Sequence, residues 1–284
     1  MAIAVQSTAN TTWTNAASLT ITKPTGLAEG DLLVACLIAE SEDWTVPSGW
    51  TEYVDLDNNW YLSLMYKVAD SSDVAASNFT FTPASSDDVC GALLRVDGYA
   101  PTALFSDAET EVDANSATQY NWGVTIDPIT DGELIIVIGA ASQTNGANSV
   151  SSPAINGTNP TWTEVLDTYF DEGGGDGANG YVAYAIQTTQ AQITSFTATL
   201  AAAQASTDGY GIIATLSPQT NATVNLTPLQ TTSAHPNISG GATHDLTLLT
   251  TTTAMPNVTT STQTKRWTGE DKSTRPTWTG ETKS

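Results

Sequence analysis

Short runs of β-branched, aromatic and aliphatic residues alternate with clusters of Gly, Asn, Ser and Asp along the first hundred residues. This is the pattern of strands joined by turns. It predicts strands over residues 3–8, 18–23, 31–39, 51–56, 61–69, 78–82 and 91–97. Residues 31–39 (DLLVACLIA) stand apart because they are apolar without alternation. A half-exposed strand shows alternating polarity, so this one is expected at the centre of a sheet, covered on both faces. Helix signals are almost absent.

The same landmarks return in the same order. Residues 30–39 (GDLLVACLIA) match 132–141 (GELIIVIGAA), and Trp50-Thr-Glu matches Trp162-Thr-Glu. Tyr66-Lys-Val matches Tyr184-Ala-Ile, Phe79-Thr-Phe-Thr matches Phe196-Thr-Ala-Thr, and Gly91-Ala-Leu-Leu matches Gly211-Ile-Ile-Ala. The expected fold is all-β: a large antiparallel β-sandwich over residues 1–219, built of two pseudo-repeated halves, 1–102 and 103–219. A Thr-rich segment follows, in which residues 226–239 (LTPLQTTSAHPNIS) align without gaps on 246–259 (LTLLTTTTAMPNVT). Thr favours extended geometry and Pro forbids a continuing helix, so residues 220–262 are expected as an extended β arm. The last segment, 263–284, holds a third repeat: residues 267–273 (WTGEDKS) return as 278–284 (WTGETKS).

Charge sharpens this division. The chain has 30 acidic and 8 basic residues in 284. Residues 1–220 hold only Lys23, Lys67 and Arg95 against 26 acids, whereas residues 221–284 hold five basic residues against four acids. An acidic body repels nucleic-acid phosphates, whose binding needs Lys and Arg to displace counterions, so no nucleic-acid partner is expected. No stretch reaches the roughly 18 apolar residues of a membrane span, and the start (MAIAVQSTAN) lacks a basic, then apolar, leader. Membrane insertion is not expected, and a cytosolic site of synthesis is.

At Pro24…Gly30-Asp-Leu-Leu-Val-Ala, Pro47-Ser-Gly-Trp-Thr51, Tyr66-Lys-Val-Ala69, Phe79-Thr-Phe81 and Val96-Asp-Gly98, the chain resembles a β-sandwich module of tailed-bacteriophage virion proteins and some bacterial surface proteins. The resemblance covers roughly residues 1–219, and the short terminal repeats look like the C-terminal arms of phage minor structural proteins. It implies a structural or host-contact role without known chemistry. The implied location is the virion, assembled in the host cytoplasm, and the implied partners are other virion proteins and copies of the chain itself. The expectation is therefore a non-enzymatic structural component: an outward-facing decoration, fibre or tail-attached subunit. The alternative is a carbohydrate-binding adhesin that attaches to host surface glycan.

Candidate chemistry is sparse. His235 and His244, the only histidines, both lie in the Thr-rich arm, far in sequence from Cys36 and Cys90. No nucleophile elbow, metal-spaced His/Cys cluster or phosphate-cradling loop is present, so no catalytic residue and no cofactor or metal is expected. Residues 171–177 (DEGGGDG) read as a solvated hairpin tip, with calcium binding as the alternative. Cys36 and Cys90 flank tryptophans as in an immunoglobulin-type disulfide; two buried reduced thiols are the expected state in a reducing compartment. Trp44, Trp60 and Trp122 are candidate glycan contacts by ring stacking, while Trp50 and Trp162 are expected to plug the sandwich ends. Trp267, Lys272, Trp278 and Lys283 are the candidate assembly anchors. In an extended chain the two tryptophans lie ~36 Å apart, and each would fill a separate pocket.

Overall fold

Every residue of β3 (Leu32–Ala39) is buried. Its neighbours in the computed structural model explain why. The structure describes residues 2–113, 119–144, 150–156, 160–173, 176–201 and 204–219. Within them β3 lies in the middle of a five-stranded antiparallel sheet, between β6 (Trp60–Val68) and β8 (Asp87–Asp97). The edges are β1 (Ala4–Ala16) and β5 (Thr51–Asn58), giving the order β1-β8-β3-β6-β5. Side chains alternate across a strand, so β3 feeds two cores. Leu33, Ala35 and Leu37 pack with Trp44, Phe79 and Phe81 of a small sheet, β2-β7-β4. That sheet is formed by β2 (Leu19–Thr22), β7 (Asn78–Pro83) and β4 (Trp44–Thr45).

Leu32, Val34, Cys36 and Ile38 face the other way. They join one cluster with Leu134, Ile136 and Ile138 of β11 (Glu133–Thr144) and Ile212 and Ala214 of β16 (Gln204–Leu216). Those strands belong to a second five-stranded sheet, β9-β16-β11-β14-β13, with β9 (Phe105–Asp113), β14 (Asp176–Gln187) and β13 (Trp162–Gly173). Its far face is covered by β10-β15-β12, made of β10 (Gln119–Trp122), β15 (Phe196–Leu200) and β12 (Val150–Ile155). The body is thus four antiparallel layers of three, five, five and three strands. Strand for strand, the orders β1-β8-β3-β6-β5 and β2-β7-β4 recur in the second half with eight added to each number.

Three departures from the expected elements have local causes. β1 runs on to Ala16 because its later residues pair with β8 as far as Asp87 and cross onto β13. Asn10 Nδ2 donates to Val165 O at 2.7 Å and Trp13 Nε1 to Thr168 O at 3.2 Å, tying the two large sheets together. β4 is only two residues long and carries no readable period. A five-residue helix, α1 (Ser71–Ala75), follows β6, begun by Asp70, whose carboxylate accepts from the amides of Ser72 and Asp73.

Cys36 and Cys90 are free and buried. They lie on adjacent strands of one sheet, with Cys36 opposite Ala92 and Cys90 opposite Ile38. An immunoglobulin-type bridge joins two facing sheets, which this placement precludes. Residues 220–284 lie outside the described residues, and with them the arm, His235, His244, Trp267, Lys272, Trp278 and Lys283. The side chains of Glu172 and Asp176, needed for calcium at 171–177, are also outside them.

Candidate functional site

A groove of about 750 Å³ opens at one end of the second half, in the size range of small-molecule sites. Strand lengths create it. The first residue of β13, Trp162, opposes Ala185, so Ile186 and Gln187 run past the end of that neighbour. Pro160, Thr161 and Thr163 form one wall, Tyr184 and Gln187 lie along β14, and Thr188 starts the opposite rim.

The loop over this gap is held in place from both sides. Asn156 sits at φ 49°, a left-handed conformation that Asn tolerates better than most residues. Its carboxamide oxygen accepts from Thr194 N at 2.7 Å and Ser195 N at 3.3 Å, while its Nδ2 donates to Gln192 O at 2.6 Å. On the far side, Gln190 N donates to Asp131 Oδ1 at 2.6 Å and Gln192 Nε2 to Asp127 Oδ1 at 2.7 Å. Gln187 itself is buried. Its Nε2 donates to Ala191 O at 2.7 Å, and its Oε1 has no partner among the described residues. No charged side chain lines the groove.

The first half shows what the same place looks like when closed. Thr51 opposes Tyr66 as Thr163 opposes Tyr184. Trp50 meets Phe79 edge-on at 5.9 Å and 81°, and Trp162 meets Phe196 at 5.7 Å and 77°. One position further along the strand the halves diverge: Lys67 stands where the second half has Ala185. Lys67 Nζ lies 2.8 Å from Asp73 and 3.4 Å from Asp70. Burial works against its charge, but the hydrogen bonds to Asp73 and Asp70 outweigh burial and raise its pKa above the ordinary lysine value. The side chain also lies over the turn at Gly49, where an added Cβ would come within 3.4 Å of it. Helix α1 and this ion pair therefore fill the space that stays open beyond Ala185.

Buried polar groups elsewhere serve the fold. Glu133 caps the turn before β11, accepting from Ile129 N at 2.8 Å and Thr130 N at 3.0 Å. Asp31 does the same before β3, accepting from Ala28 N at 2.7 Å, and pairs with Arg95 at 2.6 Å. Tyr120 donates to Asn179 Oδ1 at 3.0 Å, and Asn179 Nδ2 to Asp167 Oδ1 at 3.2 Å. Burial, and then the Asp167 charge, push the Tyr120 phenol well up, so it remains a donor. Among the described residues no group of three or more His, Cys, Asp or Glu is placed to hold a metal ion.

The tryptophans named as glycan contacts are elsewhere and face inward. Trp44, Trp60 and Trp122 are 4%, 4% and 1% exposed, and a stacking platform needs an open ring face. Trp44 Nε1 donates to Tyr61 O, Trp60 meets Trp13 edge-on, and Trp122 stacks on Phe196 at 4.9 Å. Their placement beside loops in the sequence is misleading because Trp44 and Trp122 lie in the small outer sheets packed on the large ones, and Trp60 is buried between the two large sheets. The groove had no comparable sequence signal: three separate segments line it, with Thr and Ala at half of the positions.

Together these features define an all-β body that carries a neutral groove among its described residues. Comparison with protein-family models, curated proteins and solved structures finds no match to the chain.

Proposed function

We propose that this chain is a non-enzymatic structural subunit of a phage particle: an acidic body that faces outward, held to the particle by its C-terminal segment. The observation that carries the reading is the fate of the body's cations. Lys67 is paired with Asp70 and Asp73, Arg95 with Asp31, and Lys23 Nζ donates to Val74 O. These are the only basic side chains in residues 1–219. With its three cations paired, the body has 26 acids against them and a strongly negative net charge, which favours solubility and opposes contact between like bodies. Five of the eight basic residues lie beyond residue 220, beside the repeated tryptophans. Attachment through that segment leaves the repulsive body exposed to solvent and spaced from its neighbours.

Mass spectrometry of purified particles with subunit stoichiometry tests this. The chain should be present at a fixed copy number, and a chain ending at Gln263 should be absent from particles although it folds.

A further inference from the structure

We propose that the groove beside Gln187 binds a neutral saccharide, which gives the chain a ligand-binding function separate from its assembly. The first half carries the argument. It holds the matching Trp–Phe packing and the matching Thr–Tyr strand pair, yet closes the space with Lys67, Asp73 and α1. The fold therefore does not require an opening here. Ala185 in place of lysine makes one.

The lining selects the chemistry. Thr161, Thr163 and Thr188 bring hydroxyls that both donate and accept, and all three are exposed. Pro160, Tyr184 and Ile186 supply apolar surface for the C–H face of a sugar ring. Gln187 Oε1 lacks a donor, and a buried acceptor left unpaired is costly. A small turn of that carboxamide toward the groove lets a ligand hydroxyl supply the missing donor. A charged ligand has no counter-charge in the lining. An anionic sugar would also approach the Asp127 and Asp131 carboxylates that hold Gln192 and Gln190 behind the rim. A polyol matches both the neutrality and the density of hydroxyls, and an extended peptide uses neither.

The test uses the full chain in solution and needs no particle, so its outcome is independent of the assembly reading. Saturation-transfer NMR is run with glucose, galactose, N-acetylglucosamine and their β-1,4-linked dimers, with glucuronate as the charged comparator. At least one neutral sugar should show saturation transfer and titrate to a dissociation constant. Thr188→Trp and Thr163→Trp, each at an exposed rim position, should weaken it at least tenfold. Thr51→Trp, at the matching place in the first half, should leave it unchanged, and circular dichroism should be the same for all three. Transfer to none of the neutral sugars would overturn the proposal. So would equal binding by both rim variants, a preference for glucuronate, or competition by a Thr-rich peptide in place of any sugar.

Discussion

Trp122 lies flat on a floor that only glycine can make. Gly139 and Gly211 face each other across β11 and β16, and a Cβ on Gly211 would fall 2.3 Å from the Trp122 ring. At Gly139 the same atom would come within 3.2 Å. The first half packs this layer differently: Leu37 opposes Gly91, and Leu19 and Ile21 stand where the second half has Tyr120 and Trp122. Larger side chains on the outer sheet are offset by smaller ones beneath. Gly211→Ala should therefore destabilise the body by about 1–3 kcal/mol, the usual cost of overpacking a closed core, with Gly139→Ala milder; urea unfolding checks both. The thiols give a pH prediction. Burial pushes Cys36 and Cys90 above the ordinary thiol value of 9.0, and raises Tyr120 and Tyr181 likewise. Groups whose folded pKa lies above the unfolded one contribute stability that is full below the unfolded value and is lost as pH rises. The melting temperature should hold up to about pH 8.5 and fall above about pH 9 as the unfolded thiols ionise. A thiol reagent should label both cysteines only after denaturation.

At the scale of elements, the Lys67–Asp73 pair decides whether an end of the sandwich is open or closed. The two side chains are 15% and 7% exposed, so solvent screens them little. Lys67→Ala would leave Asp73 buried without its cation and should destabilise the first half by about 1.5–3 kcal/mol, the range for a charged hydrogen bond. Equilibrium unfolding of the variant measures this. The elements themselves were legible to unequal degrees. β3 and β11 stood out because a strand covered on both faces has no polar positions to interrupt it. β2, β5 and β7 were legible from ordinary alternation. β4 was missed because two residues carry no period, and α1 because five residues begun by Asp70-Ser-Ser-Asp73 read as a turn. The inner half of β1 was hidden by its run of Ala, Asn and Thr, whose reason is contact with β13. The groove was hidden for a different reason. It arises where Ala185 and a loop replace Lys67 and a helix, and an omission shows only once the two halves are laid out in space.

Over the whole molecule, the body is acidic, and the chain beyond it carries most of the cations and the repeated tryptophans. Residues 267–284 lie outside the described residues, so the anchoring role we propose for them rests on the sequence: two WTG heptads in a Thr-rich, Pro-containing segment. Burying one large aromatic contributes on the order of 2–3 kcal/mol, and truncating an interface hot spot costs roughly 2–4 kcal/mol. Sites that share no partners add, so the double variant should lose about the sum. Salt should matter less than the aromatic rings, because exposed lysine contacts contribute little. The most direct measurement is quantitative mass spectrometry of purified particles assembled with the Trp267→Ala, Trp278→Ala double variant, beside a thermal melt of the same protein. The account predicts an unchanged melt and near-complete loss of the subunit from particles. Full occupancy by the double variant would contradict it.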